Sequence, residues 1–174
     1  LDLENQELFD KYKGHYSNEE ITEIIENELD LGNVLRRSCK DFDGGYAMAG
    51  VAGHGASFVA RDPAGIRPAY YYVDDEVVVV ASEKPPIKTA FDVKFKKIHE
   101  IKPGHALIIN KNGDVSEEKF LEPLEKKSCS FERIYFSRGT DPNIYQERKE
   151  LGRLLLPQIL KSINFDLKNC VFSY

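Results

Sequence analysis

The stretch RDPAGIRPAYYYVDDEVVVVASE, residues 61–83, carries the reading of the fold. Aromatic and β-branched runs on either side of Asp74-Asp75 read as the two strands of a hairpin. Ahead of them, Asp62 is held extended by the proline that follows, Pro63 fixes its own φ, and Gly65 is free to take a positive φ. Residues 61–68, closing on Pro68, therefore predict a tight turn. Two cations, Arg61 and Arg67, and one carboxylate, Asp62, occupy that turn with no nucleophile or second base beside them along the chain. Such a set points to ion pairs, or hydrogen bonds to carbonyls, that fix the ends of strands rather than to catalysis. Ser82 and Glu83 close the second strand.

Working outward, the segments 46–51, 58–60, 94–98 and 106–109 also read as strands. The last of these pairs with 115–120 through Lys111-Asn112-Gly113-Asp114, because Asn-Gly is a strong hairpin signal. The first 42 residues are different. Ser17 and Glu20 form a capping box that opens a helix over 18–29, with Ile21, Ile24, Ile25 and Leu29 at helical spacing. A second helix is predicted over 33–42 after Gly32, with Val34, Leu35 and Cys39 on one face. Helices followed by a strand meander predict an α+β layered domain. A further change comes near Ser128. Residues 144–163 carry a long amphipathic pattern in which Pro157 should kink or divide the helix, and 165–174 read as a strand opening an α/β unit. We therefore expect a boundary between 1–128 and 129–174.

Composition limits the function classes. With 30% charged residues and a formal net charge of −5, the chain offers no electrostatic reason to bind nucleic acid or an anionic membrane. Its apolar runs fall far short of the roughly 20 residues a membrane helix needs. Cys39, Cys129 and Cys170 are odd in number and widely spaced, which fits reduced thiols in a cytoplasmic setting. No histidine lies within ten residues of any of them, so none reads as an activated nucleophile, and no Cys/His spacing suggests a zinc site. Gly53-His54-Gly55 reads as a hairpin loop. The start at Leu1 and the stop at Tyr174 lead us to expect a segment of a longer protein.

Taken in order, Gly44-Gly45-Tyr46, Gly53-His54-Gly55, the 61–68 turn, Val80-Ala81-Ser82-Glu83, Lys102-Pro103-Gly104 and the run FERIYFSR at 131–138 resemble the amidophosphoribosyltransferases. The turn and the Ala-Ser-Glu run resemble class II glutamine amidotransferases at large, asparagine synthetases included. The 131–138 run, with Tyr145, Arg148 and Gly152, resembles amidophosphoribosyltransferases in particular.

The resemblance implies a four-layer αββα sandwich of the N-terminal nucleophile hydrolase type, present in part, followed by the start of an α/β phosphoribosyltransferase domain. It also implies an enzyme that hydrolyses glutamine and passes the ammonia to phosphoribosyl pyrophosphate, in the first step of purine synthesis. That chemistry needs a first-residue cysteine whose α-amino group is the base for its own thiol. Leu1 cannot supply it, so no catalytic residue is expected here and the chain alone should be inactive. Asn18 falls where the family has an aspartate that pairs with the glutamine ammonium, and a neutral amide there weakens the contact by about 1 kcal/mol or more. The implied partners are glutamine and phosphoribosyl pyrophosphate in a homo-oligomer. Magnesium accompanies phosphoribosyl pyrophosphate in the complete enzyme, no cofactor belongs to this segment, and the iron–sulfur ligands of some members fall outside these residues. A different class II amidotransferase, or a non-catalytic homologue kept as scaffold, are the alternative readings.

Overall fold

The computed structural model describes residues 1–171 and Ser173. They form two compact units, Leu1–Cys129 and Ser130–Tyr174.

The first unit opens with helices α1 (Asp2–Tyr12), α2 (Asn18–Glu28) and α3 (Leu31–Ser38). The predicted capping box is present: Ser17 Oγ accepts from Glu20 N at 3.3 Å, and Glu20 Oε2 accepts from Ser17 N at 2.8 Å. The next helix starts and stops earlier than the predicted 33–42. Asp30 is its N-cap, its Oδ1 accepting from Asn33 N at 2.8 Å, and Cys39 already lies past its end.

Seven strands follow: β1 (Ala47–Val51), β2 (Ser57–Arg61), β3 (Tyr70–Val73), β4 (Val78–Ala81), β5 (His99–Glu100), β6 (His105–Ile109) and β7 (Val115–Lys119), with helix α4 (Lys84–Phe91) between β4 and β5. Every pairing is antiparallel, and the strands form one sheet in the order β1-β2-β6-β7 and another in the order β4-β3-β5. The alternation of side chains along each strand assembles the layers. Phe58, Ala60, Ala106 and Ile108 face α3, where they cluster with Leu35, Cys39 and Phe120. Val59, Leu107 and Ile109 face the other way and pack on Tyr71, Val78 and Val80 of the second sheet. From that sheet's far side Tyr70, Tyr72, Val79 and Ala81 pack with Ile87 of α4. The unit is thus a four-layer αββα sandwich, as expected.

Within the meander one helix was not anticipated and one expected strand does not form. Residues 84–91 are helical: Pro85 and Pro86 fall in the first turn, where a missing amide donor is harmless and a fixed φ is helical. Residues 94–98 contain a 3-10 turn, Phe95–Lys97, in place of a strand. Val93, Phe95 and Ile98 all reach the α4 side of the second sheet through that turn, so burial selects it over extension.

The second unit contains a π turn, Glu132–Phe136, and α5 (Pro142–Ser162). Asp141 caps α5 through Asn143 N and Ile144 N. The helix runs on through Pro157 without dividing; the Arg153 carbonyl, which Pro157 leaves without an amide donor, belongs to an exposed stretch open to solvent, where losing that bond costs least. The strand expected at 165–174 does not form among the described residues. Asn164 and Phe165 adopt positive φ of 50° and 60°, Phe165 N returns to Leu160 O, and Asp166 Oδ1 accepts from Lys168 N, all of which turn the chain. Phe172 and Tyr174 of that expected strand lie outside the described residues.

Candidate functional site

The chain crosses from one sheet to the other twice: outward between β2 and β3, through residues 62–69, and back between β5 and β6, through residues 101–104. The turn singled out in the sequence is the first crossing. Arg61, 2% exposed, and Asp62, fully buried, hold the two crossings together.

The Arg61 guanidinium donates through Nε to Arg67 O at 2.7 Å and through Nη2 to Gly65 O at 3.0 Å, both on the outward crossing. Its Nη1 donates to Ile101 O at 2.6 Å on the return crossing and pairs with Glu100 Oε1 at 2.8 Å. The Asp62 carboxylate accepts from Ile66 N at 2.8 Å and Arg67 N at 3.0 Å, while its carbonyl accepts from Gly65 N and from Gly104 N. The expected mechanical role is therefore built differently from an ion pair within the turn. Arg61 takes its carboxylate from Glu100, and Asp62 serves backbone amides, since a buried charge must find enough polar partners wherever the fold supplies them.

The other turn residues have distinct places. Pro63 and Pro68 bracket the crossing and are half-buried, and Arg67 is exposed. Gly65 sits at φ +59°, and a Cβ there would come within 2.9 Å of Pro103 Cγ, so both conformation and space require glycine. Ser82 is exposed at the end of β4, and Glu83 is the N-cap residue of α4. Asn18 lies elsewhere, exposed in the first turn of α2, with its carbonyl accepting from Thr22 Oγ1 at 2.9 Å.

A cleft of about 320 Å³ opens between the start of the chain, α2 and the β1–β2 loop, lined by Asn5, Thr22, Ile25, Glu26, Gly53 and His54 among others. The Gly53-His54-Gly55 loop closes the hairpin as expected, with Ala52 N donating to Ala56 O at 2.7 Å, and also walls this cleft. Cys39 is buried in the α3 layer, and burial pushes its thiol up, away from the thiolate a nucleophile requires. Cys129 and Cys170 are free and half-buried. Among the described residues no cluster of His, Cys, Asp and Glu is arranged to hold a metal ion.

Sequence reasoning missed Glu100, Ile101 and Gly104 as members of the Arg61 site. They lie about 40 residues along the chain, and only the pairing of β5 with β3 brings them near. The Lys102-Pro103-Gly104 run was a usable signal, since Pro-Gly before a strand marks a corner.

The profile of a family described as a glutamine amidotransferase domain matches residues 4–89, about half of the chain. Among curated proteins, the amidophosphoribosyltransferase of Bacillus subtilis is 35% identical over 130 residues, covering 72% of this chain and 26% of that protein. The amidophosphoribosyltransferase of Saccharomyces cerevisiae is 30% identical over 175 residues, covering 94% of this chain and 32% of that protein. Among solved structures, the glutamine phosphoribosylpyrophosphate amidotransferase of B. subtilis, complexed with ADP and GMP, aligns over 79% of this chain and 30% of its own, at 28% identity and a TM-score of 0.48. The chain spans about a quarter to a third of the length of the curated relatives it matches.

Proposed function

We propose that this chain, similar to amidophosphoribosyltransferases over most of its length, supplies the later part of a glutaminase domain of the N-terminal nucleophile hydrolase type and the lead into a phosphoribosyltransferase domain. The complete protein then converts glutamine, phosphoribosyl pyrophosphate and water to phosphoribosylamine, glutamate and pyrophosphate. Water cleaves the side-chain amide, and the released ammonia displaces pyrophosphate from the sugar. Magnesium with phosphoribosyl pyrophosphate, a homo-oligomeric assembly and a cytoplasmic location belong to the same reading. No helix among the described residues is long and apolar enough to cross a membrane.

The observation that carries the reading is that residues matching the glutamine amidotransferase profile fold into both sheets of one sandwich, clamped where the chain changes sheet. Apart from Asn18, residues 1–174 act in it as scaffold. Asp62 spends its polar atoms on backbone groups, Arg61 on backbone carbonyls and the Glu100 carboxylate, and Cys39 is buried as a thiol. Asn18 takes the contact to the glutamine ammonium, with an amide oxygen where a carboxylate is stronger.

Two measurements test this. The complete gene product should release pyrophosphate and glutamate in equal amounts, and only when both substrates are present; release that instead depends on ATP and aspartate would overturn the assignment. Residues 1–174 alone should release no glutamate above the blank, and measurable glutamine hydrolysis by them would overturn the scaffold role. In the complete protein Asn18→Asp should lower the KM for glutamine about tenfold, as restoring a charge-assisted hydrogen bond predicts. Steady-state kinetics with varied glutamine reads this directly.

A further inference from the structure

The carbonyls of residues 63–67 are all occupied, and they divide between two kinds of partner. Gly65 O and Arg67 O accept from the buried Arg61 guanidinium. Pro63 O, Ala64 O and Ile66 O accept from a different segment: Leu124 N at 2.9 Å, Lys127 N at 2.8 Å and Cys129 N at 3.1 Å. The segment 124–129 is the last of the first unit and leads directly into the second. Its side chains from Leu124 to Ser128 are exposed, so it holds to the sandwich by backbone hydrogen bonds rather than by apolar burial. One further tie is electrostatic: Lys126 Nζ reaches Glu100 Oε1 at 2.7 Å, the same oxygen that Arg61 Nη1 contacts at 2.8 Å.

From this geometry we infer that residues 124–129 form a releasable latch, fastened across the sheet-crossing turn and controlled by Glu100, which joins the buried Arg61 to the strap's Lys126. A segment held by three amides and one half-exposed ion pair, without a buried side chain of its own, belongs to the low-stability end of a fold and opens locally without unfolding the core. Because it docks on the clamped crossing, its opening frees three carbonyls of the turn and slackens the tether to the second unit in one step. Glu100 is thus a positioning residue, acting on the strap through Lys126. The inference stands on the first unit's geometry and does not depend on which reaction the complete protein catalyses.

Hydrogen exchange on residues 1–174 tests it, followed amide by amide in the wild type, Lys126→Met and Glu100→Gln. Lys126→Met leaves the buried Arg61–Glu100 pair intact, so exchange at Leu124, Lys127 and Cys129 should rise about threefold to fivefold, the range for one partly exposed ion pair, with β2 and β6 amides unchanged. Glu100→Gln should raise strap exchange roughly tenfold or more. A maleimide probe should likewise label Cys129 faster in both variants while Cys39 stays protected. Strap exchange that does not respond in Lys126→Met overturns the latch. So does a rise in that variant shared equally by β2 and β6, which would mean the strap opens only when the sandwich unfolds.

Discussion

Arg61 shows how a single buried charge is made tolerable. Desolvating a guanidinium costs several kcal/mol unless its donors are met, and three carbonyls and the Glu100 carboxylate meet them. Asp62 solves the converse problem by gathering two backbone amides of the turn. Asp62→Ala leaves Ile66 N and Arg67 N without their acceptor and should cost about 2–4 kcal/mol. A urea titration of the chain should show the lowered midpoint, and in the complete protein that loss should precede any change in glutamine affinity. Tyr46 is the opposite case. Its hydroxyl is buried with no hydrogen-bond partner, and burial, with Cys39 and Asp62 adding to it, pushes the phenol up to about 12. An unfolded tyrosine ionises near pH 10. Between about pH 10 and 12 the native state therefore keeps a proton that the unfolded chain has released, and stability falls as pH rises. Tyr46→Phe should remove that alkaline loss and leave the neutral-pH midpoint unchanged or higher by up to about 1 kcal/mol.

The elements divide by what built them. Helix α2 and the β6–β7 hairpin are local products. The first follows from Ser17 and Glu20; the second from Asn110, whose side chain accepts from Asn112 N and Asp114 N, and from Gly113 at φ +88°. Such elements were legible because their instructions lie within a few residues. Helix α4 and the Phe95–Lys97 turn were not, since their apolar residues serve a cluster shared with β3 and β4. The return crossing belongs to neither class. Gly104 sits at φ +69°, its carbonyl accepts from both Phe120 N and Leu121 N, and a Cβ there would stand 2.6 Å from Leu121 O. Backbone cannot yield as a side chain end does. Gly104→Ala should thus destabilise the first unit by more than about 2 kcal/mol, through φ and through the clash together. Thermal unfolding followed by circular dichroism measures it, with Gly113→Ala, where no atom lies near the added methyl, as the milder control.

At the scale of the molecule, carboxylates set the response to acid. Burial acts to raise the pKa of Glu100, and the Lys126 ammonium and Arg61 guanidinium more than reverse it, leaving the group below its ordinary value. Asp74 is lowered by the amides of Glu76 and Val77, and Glu147 by Arg133. A group lowered in the folded state binds fewer protons there than when unfolded, so its contribution is present at neutral pH and is lost as pH falls below about 4 and through the folded value. Urea midpoints measured at pH 7, 4 and 3 should fall in that order, and Glu100→Gln should flatten part of the decline. What the sequence determined by itself was whatever short-range chemistry decides: the α2 cap, the hairpins, the alternation of strand faces and hence the α+β layering, and the tight turn at residues 61–68. Only the tertiary structure decided that this turn is a crossing between two sheets, that Arg61 answers to Glu100 and Ile101 rather than to Asp62, and that residues 124–129 close over it. Those partners are separated by roughly 40 to 60 residues of chain. A buried charge takes its partners from whatever the packed sheets bring within hydrogen-bonding reach, and no local pattern in the sequence records that choice.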